Sequence, residues 1–231
     1  SDWSSDVCSS DLSNKVTSLS AGEDRGVWVG SNVGLSYFNH KSGQVTHYLK
    51  SASTNKLNST ETYDVNFIHP SGEGGVWVGL WGKGINLFTK EHQLKDFPFK
   101  PGAREANFNT MAVFQSEFLL GTAGMGIVSF NPVTKQYRIP FQELGKSTFL
   151  NKSIAAIKVL NGTEIWIGTV GFGLYVFDIS THKIRHYVKS AEAGALSYNH
   201  VNKIYQDRKN RIWVIDRKST RLNSSHLGIS R

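Results

Sequence analysis

One cysteine, Cys8, is all the thiol chemistry this 231-residue chain holds. It lies in an N-terminal segment set aside below, so the remainder can form no disulfide, cysteine zinc site or thiol nucleophile. Acidic residues are scarce as well: 18 Asp and Glu stand against 26 Lys and Arg, for a net charge of +8. No Ser/His/Asp arrangement and no close carboxylate pair stands out, so the sequence offers no catalytic residues. The histidines give no metal site either. His182 and His186 are four apart, a spacing that converges on a helix, but in an extended segment it separates them by roughly 13 Å. His40, His47, His69, His92 and His200 are isolated. The basic residues, such as Lys41, Lys56, Lys83, Lys90, Lys152 and Lys183, are scattered through turns, which reads as a solvated surface and not as a specific nucleic-acid site.

What the chain does have is one segment written five times. Val76-Trp77-Val78-Gly79 is followed by Gly84-Ile85-Asn86-Leu87-Phe88, and Ile165-Trp166-Ile167-Gly168 by Gly173-Leu174-Tyr175-Val176-Phe177. Val27 to Gly30 with Gly34 to Phe38, and Phe118 to Gly121 with Gly126 to Phe130, match closely, and a fifth copy opens at Arg211-Ile212-Trp213-Val214. Gly30, Gly79, Gly121, Gly168 and position 215 are spaced by 49, 42, 47 and 47 residues. Periods of about 40 to 50 residues belong to propeller blades and to some helical arrays. Within each copy the runs are short, rich in Val, Ile, Phe, Tyr and Trp, and broken by Gly, Asn and Ser, which marks strands and hairpins. In the second copy the strands are expected at Asp64 to His69, Val76 to Gly79, Gly84 to Phe88 and Leu94 to Phe99. Four strands make one blade.

An apolar pair three residues apart precedes each Trp by a constant interval: Val16/Leu19, Val65/Ile68, Ile154/Ile157 and Val201/Ile204. In the third copy the pair is expected at Met111/Phe114, which would make its first hairpin four residues shorter. Since side chains alternate along a strand, such a pair is expected to point to both faces, each covered by a neighbouring blade. The repeated Trp is expected to fill the wedge between adjacent sheets, where an aromatic buries the most area.

Residues 1–12 and 216–231 resemble translated sequencing-adapter DNA: one choice of codons for Asp216 to His226 reverse-complements into a frame reading Asp2 to Asp11. Both are set aside, as cloning scars are, which removes Cys8 and leaves the net charge at +8. What remains is expected to be all-β, a partial β-propeller over 13–215. Its blades fall at about 13–50, 61–99, 107–141, 151–189 and, cut short, 197–215, about four and a half in all.

The loops Gly121-Thr122-Ala123-Gly124-Met125-Gly126 and Gly168-Thr169-Val170-Gly171-Phe172-Gly173 superficially suggest a phosphate cradle. That reading fails, because such a loop must open a helix whose N-terminus meets the phosphate, and here each loop runs into an alternating strand. The glycines are expected to provide positive φ in tight turns. Asn58, Asn151 and Asn161 begin glycosylation-acceptor triplets that composition alone accounts for.

The pattern Leu196-Ser197-x-x-His200-Val201-x-x-Ile204-x-x-Asp207-x-x-x-Arg211-Ile212-Trp213-Val214, with Trp166-Ile167-Gly168-Thr169-x-x-Gly-x-Gly-Leu-x-x-Phe-Asp178, resembles the two-component regulator propeller repeat. Departures are Leu119 in place of Trp, Ser31 and Leu80 in place of Thr, and Trp81 in the loop that follows. The resemblance implies an internal fragment of a ring of about seven blades. It further implies a ligand-sensing, extracytoplasmic part of a dimeric, membrane-anchored bacterial receptor with a histidine kinase or diguanylate cyclase output. The expected partners are a small-molecule or carbohydrate ligand and the remaining blades and output domains of the parent, with no cofactor and no catalysis in this fragment. A protein-interaction propeller and a propeller enzyme such as a lyase are the alternatives. Trp81 is the candidate ligand-binding residue, because Leu80-Trp81-Gly82-Lys83 puts an aromatic where the other copies carry small or aliphatic residues. With strands left open at Val16 and Trp213, the chain is expected to be prone to aggregation.

Overall fold

The structure, a computed structural model, describes residues 15–22, 25–50, 63–102, 106–141, 149–192 and 195–217. Cys8, Asn58 and Lys56 lie outside these residues, as do the whole of 1–12 and all of 216–231 except Asp216 and Arg217.

The chain divides into two compact units, Ser1–Asn107 and Phe108–Arg231. In the first, β1 (Val16–Ala21), β2 (Val27–Ser31), β3 (Gly34–Phe38) and β4 (Val45–Lys50) form one antiparallel sheet in sequence order. A second sheet is built the same way from β5 (Val65–Pro70), β6 (Val76–Leu80), β7 (Gly84–Phe88) and β8 (Leu94–Phe97). The second unit holds β9 (Phe108–Phe114), β10 (Glu117–Thr122), β11 (Ile127–Asn131) and β12 (Gln136–Arg138) in one sheet. Next come β13 (Ile154–Leu160), β14 (Glu164–Thr169), β15 (Leu174–Asp178) and β16 (Lys183–Tyr187), then a hairpin of β17 (Val201–Gln206) and β18 (Ile212–Asp216). Four-stranded meanders repeated in this way are propeller blades, and the fold is all-β, a partial β-propeller. The strand β8 stops at Phe97, two residues short of the expected end, because Pro98 has no N–H to continue the ladder.

The second and third strands of each four-stranded blade are its most buried elements, and the residue two before the second strand's glycine is the wedge. Trp28 packs in one cluster with Val65, Val76 and Val78 of the following blade. Leu119 does the same with Ile154, Ile165 and Ile167, and Trp166 with Val201 and Val214. Full burial of one such side chain is worth about 1.5–3 kcal/mol.

The apolar pair three apart works differently from the expectation. Val65 pairs with Leu80 and Ile68 with Val78, and since Leu80 and Val78 are two apart on one strand, Val65 and Ile68 share a face. A β-bulge at Asn66 supplies the extra residue that restores the phase. The same bulge recurs at Thr17, Asn109, Ala155 and Asn202. The shared face looks back at the preceding blade: Ile154 and Ile157 cluster with Leu119 and Ile127, and Val201 and Ile204 with Trp166 and Leu174.

The bulge also corrects the third copy. Phe108 pairs with Thr122 and Met111 with Leu120, so the pair there is Phe108/Met111 and not Met111/Phe114. Its hairpin is one residue shorter than the others, not four, closing through a two-residue turn in which Gln115 adopts φ 54°.

The motif glycines divide into two kinds. Gly126 and Gly173 do take positive φ, 69° and 81°. Gly121 and Gly168 do not; they are needed because a Cβ would lie 2.8 Å from Ile154 Cγ2 and 2.6 Å from Val201 Cγ1. Gly30 stands in the same relation to Val65 Cγ1, at 2.6 Å. These glycines seat the first strand of the next blade.

Candidate functional site

In an antiparallel meander the turn between the second and third strands lies at the same end of the sheet as the connection to the next blade. At that end of the first unit sits Trp81, about half exposed in the β6–β7 turn. Its backbone is fixed: Trp81 N–H donates to Asp64 O at 2.9 Å, Lys83 N–H to Leu80 O at 3.2 Å, and Gly82 N–H to Asn107 Oδ1 at 2.6 Å. Lys83 Nζ lies 4.5 Å from the centroid of the Tyr63 ring. The turn therefore offers an aromatic face, a cation and a second aromatic on one sheet end, held by β6 and β7. Beneath it the Asn86 side chain is fully buried, with its amide nitrogen donating to Lys83 O and Gly84 O at 3.3 Å each, and it anchors the turn from inside.

The second unit carries a counterpart that position-by-position comparison of the repeats overlooked. Phe172, in the β14–β15 turn, is 47% exposed against 49% for Trp81, although it stands two residues later in its loop. Lys152 Nζ lies 3.9 Å from the Phe172 ring centroid, a cation–π contact. The turn is pinned by Val170 N–H to Ser153 O at 2.9 Å, by Gly173 N–H to Asn199 O at 2.7 Å, and by His186 Nε2 to Phe172 O at 2.7 Å. The His186 ring stacks on Tyr175 at 4.0 Å and 8°. The signal in the sequence was the Gly171-Phe172-Gly173 triplet, an aromatic set between two glycines in the turn.

Tyr198, also exposed, is presented by the connection into β17. Its N–H and the Ser197 N–H donate to the Asp216 carboxylate at 2.8 and 2.9 Å, and Ser197 Oγ donates to it at 2.7 Å. Asp216 is completely buried, and its charge is compensated by these donors.

The electrostatics of these sheet ends are basic and quiet. His200 is held below its ordinary pKa by burial and then by the nearby Arg217 guanidinium, and His69, at the opposite end of its own sheet beside the β5–β6 turn, is lowered by burial. At both, burial favours the neutral imidazole. Burial raises the Tyr175 phenol. Two carboxylates with lowered pKa lie elsewhere, each in an ion pair. Glu117 is lowered first by its hydrogen bonds from Arg138, which it meets at 2.6 Å. Asp207, in the β17–β18 turn, is lowered first by the Trp213 indole N–H and then by hydrogen bonds that include the Arg211 guanidinium. His182 closes the β15–β16 turn with φ 56° while His186 lies in β16, so the two do not converge. Among the described residues no group of three His, Cys, Asp or Glu is placed to hold a metal ion, and no helix is long and apolar enough to cross a membrane.

No protein-family profile matches the chain, and no curated protein matches its sequence. Solved structures do match its fold. The extracellular domain of BT4673 from B. thetaiotaomicron, named in one structure for a one-component system and in another for a hybrid two-component system, superposes with TM-score 0.69 at 19% identity. The likeness covers 90% and 89% of this chain but 27% and 26% of those chains. The extracellular domain of BT3049, named for a hybrid two-component system of the same organism, gives TM-score 0.68 at 16% identity over 88% of this chain and 27% of that one. The computationally designed Ika8 protein gives TM-score 0.52 at 12% identity. This chain thus spans about a quarter of the length of the extracellular domains it resembles, and at these identities the likeness is one of fold.

Proposed function

We propose that this chain is a piece of a ligand-sensing propeller from the extracytoplasmic side of a bacterial signal-transduction receptor, of the two-component regulator propeller type, and that catalysis resides elsewhere. The observation that carries the reading is the match in fold, over about nine tenths of the chain, to extracellular domains named for one- and two-component systems. The resemblance of segments such as Leu196-Ser197-x-x-His200 to that repeat agrees with this reading.

Within this reading Trp81 is the first residue for ligand contact, with Phe172 its counterpart. An exposed aromatic ring held on a rigid turn can stack on a sugar or another flat ligand at little entropic expense, because its backbone is already ordered. The test is a titration of the chain with a panel of neutral and acidic disaccharides, followed by tryptophan fluorescence. A saturable change with one member of the panel, lost in Trp81→Ala, is the expected result; binding that Trp81→Ala leaves unchanged would remove that residue from the site, and Phe172→Ala tests the turn of the second unit separately.

A further inference from the structure

In every four-stranded blade the glycine that leads into the third strand offers its carbonyl to a side chain. Ser31 Oγ donates to Gly34 O at 3.3 Å, Thr122 Oγ1 to Gly126 O at 2.9 Å and Thr169 Oγ1 to Gly173 O at 2.7 Å. In the second blade Leu80 stands where these hydroxyls are, and Gly84 O takes the Asn86 amide instead, at 3.3 Å. The donor has moved from the second strand to the third. The third blade holds the opposite pair, Thr122 with Val128 in the place of Asn86. All four of these residues, Leu80, Asn86, Thr122 and Val128, are buried.

The two arrangements fold the turn differently. Thr122 Oγ1 also accepts from the Met125 N–H at 2.8 Å, so the hydroxyl fills the inside of its loop. Leu80 has no such atom. There the Lys83 N–H donates to the Leu80 carbonyl at 3.2 Å, closing a β-turn with Trp81 and Gly82 at its corners, and Gly82 supplies the positive φ of 73° at the second corner. Asn86 holds the far limb of that turn through Lys83 O, also at 3.3 Å. The corner residue Trp81 is exposed, and Lys83, next to the glycine, is partly buried. In the fourth blade, which has the hydroxyl, the order is reversed: Val170, first in the turn, is partly buried, and Phe172, next to the glycine, is exposed.

We propose that positions 80 and 86 together decide which residue the β6–β7 turn displays, and that Asn86 is the positioning residue for Trp81. A hydroxyl on the second strand displays the residue next to the glycine, as at Phe172. An amide on the third strand displays the residue next to the second strand, as at Trp81. Leu80 is part of the device, because a hydroxyl there would compete for Gly84 O and for the Lys83 N–H. Exchange of two buried residues thus moves the exposed aromatic from one end of the turn to the other. The purpose of the displayed ring rests on the sensor reading, but its placement is tested without a ligand, so the two can fail separately.

The test writes the third blade's pair into the second: Leu80→Thr together with Asn86→Val in the whole chain. The protein is labelled with fluorotryptophan, and the Trp81 fluorine signal is identified as the one missing from Trp81→Phe. Asn86→Val alone is expected to lower the urea midpoint, because two carbonyls lose a donor, and to shift the Trp81 signal. Adding Leu80→Thr should recover the midpoint while the signal stays shifted and is broadened less by a soluble nitroxide, since Trp81 has left the corner. The Trp166 signal, which reports on the fourth blade, should keep its place throughout. Should Asn86→Val not fold alone, Asn86→Ser, the residue that the first blade carries at the equivalent Ser36, is read in the same way. A Trp81 signal unmoved by the loss of Asn86 would make that residue ordinary core and overturn the proposal. A double variant that recovers none of the lost stability, or whose Trp81 signal returns to its original place, would overturn the exchange between the two positions.

Discussion

Gly168 lies so close to Val201 that a Cβ on the glycine would come within 2.6 Å of Val201 Cγ1 and 3.0 Å of its backbone oxygen. The neighbour is partly backbone, so it cannot simply rotate away. Gly168→Ala is therefore expected to destabilise by about 1–3 kcal/mol, measured by urea denaturation. Gly102, with nothing within 4 Å of its Cβ position, is the control; Gly102→Ala should stay within about 0.5 kcal/mol.

The two kinds of tryptophan should separate in the same assay. Trp166 is 3% exposed within a cluster that includes Val201 and Val214, and Trp166→Ala is expected to lose about 3–5 kcal/mol. Trp81→Ala, at an exposed turn, should change stability by about 0.5 kcal/mol or less. A large loss at Trp81 would show that the ring covers its blade and is not available to a ligand.

Acid should act through Glu117. The Arg138 guanidinium holds its carboxyl below the ordinary value of 4.5, with a further hydrogen bond from Ser129. A carboxylate depressed in the folded state stabilises fully above its unfolded pKa, and that contribution is lost as the pH falls through the folded one. The wild-type chain is thus expected to lose more stability than Glu117→Gln when acidified below about pH 4.5. Thermal midpoints of both, compared at neutral pH and in acid, give the measurement; parallel curves would contradict the assignment.

The β15–β16 turn is held by Asp178, whose Oδ1 accepts from the Ser180 and Thr181 N–H groups at 2.9 and 3.0 Å. Asn39 and Asn131 do the same at the equivalent turns of the first and third blades, each with two turn N–H groups. Asp178→Ala should cost about 0.5–1.5 kcal/mol, while Asp178→Asn, which keeps the accepting oxygen, should retain most of the stability in the same denaturation experiment.

The repeat, the four-strand blade and the wedge role of Trp28 and Trp166 were legible in the sequence, because burial writes the same apolar pattern into every copy; that Leu119 takes the Trp's place as wedge in the third blade was not. The bulges were not. Thr17, Asn66, Asn109, Ala155 and Asn202 share no side-chain type, since what the bulge requires is one extra residue of backbone, and that leaves its mark on phase and not on composition. Missing the bulge led alternation to put Val65 and Ile68 on opposite faces, and let Phe114 imitate a pair member in the third copy. The division of the glycines was hidden for a similar reason: Gly168 and Gly173 look alike in sequence, yet one is constrained by a neighbour 33 residues away, Val201, and the other by its own φ of 81°. At the candidate site, Trp81 stood out as an aromatic in its aligned position, whereas Phe172 escaped because loop exposure tolerates a shift of two residues that strict alignment does not.

Within each unit the first strands β5, β13 and β17 are held in place by the blade before them, and the roles of wedge, glycine and bulge depend on that. Hydrogen exchange followed by mass spectrometry is the decisive experiment, comparing Val16–Ala21 with Ile154–Leu160, two strands paired in the same way to their own second strands. Exchange in β13 slower by about tenfold or more than in β1 is expected, because only β13 has its apolar pair covered. Equal protection of the two strands would show that the preceding blade does not hold the first strand.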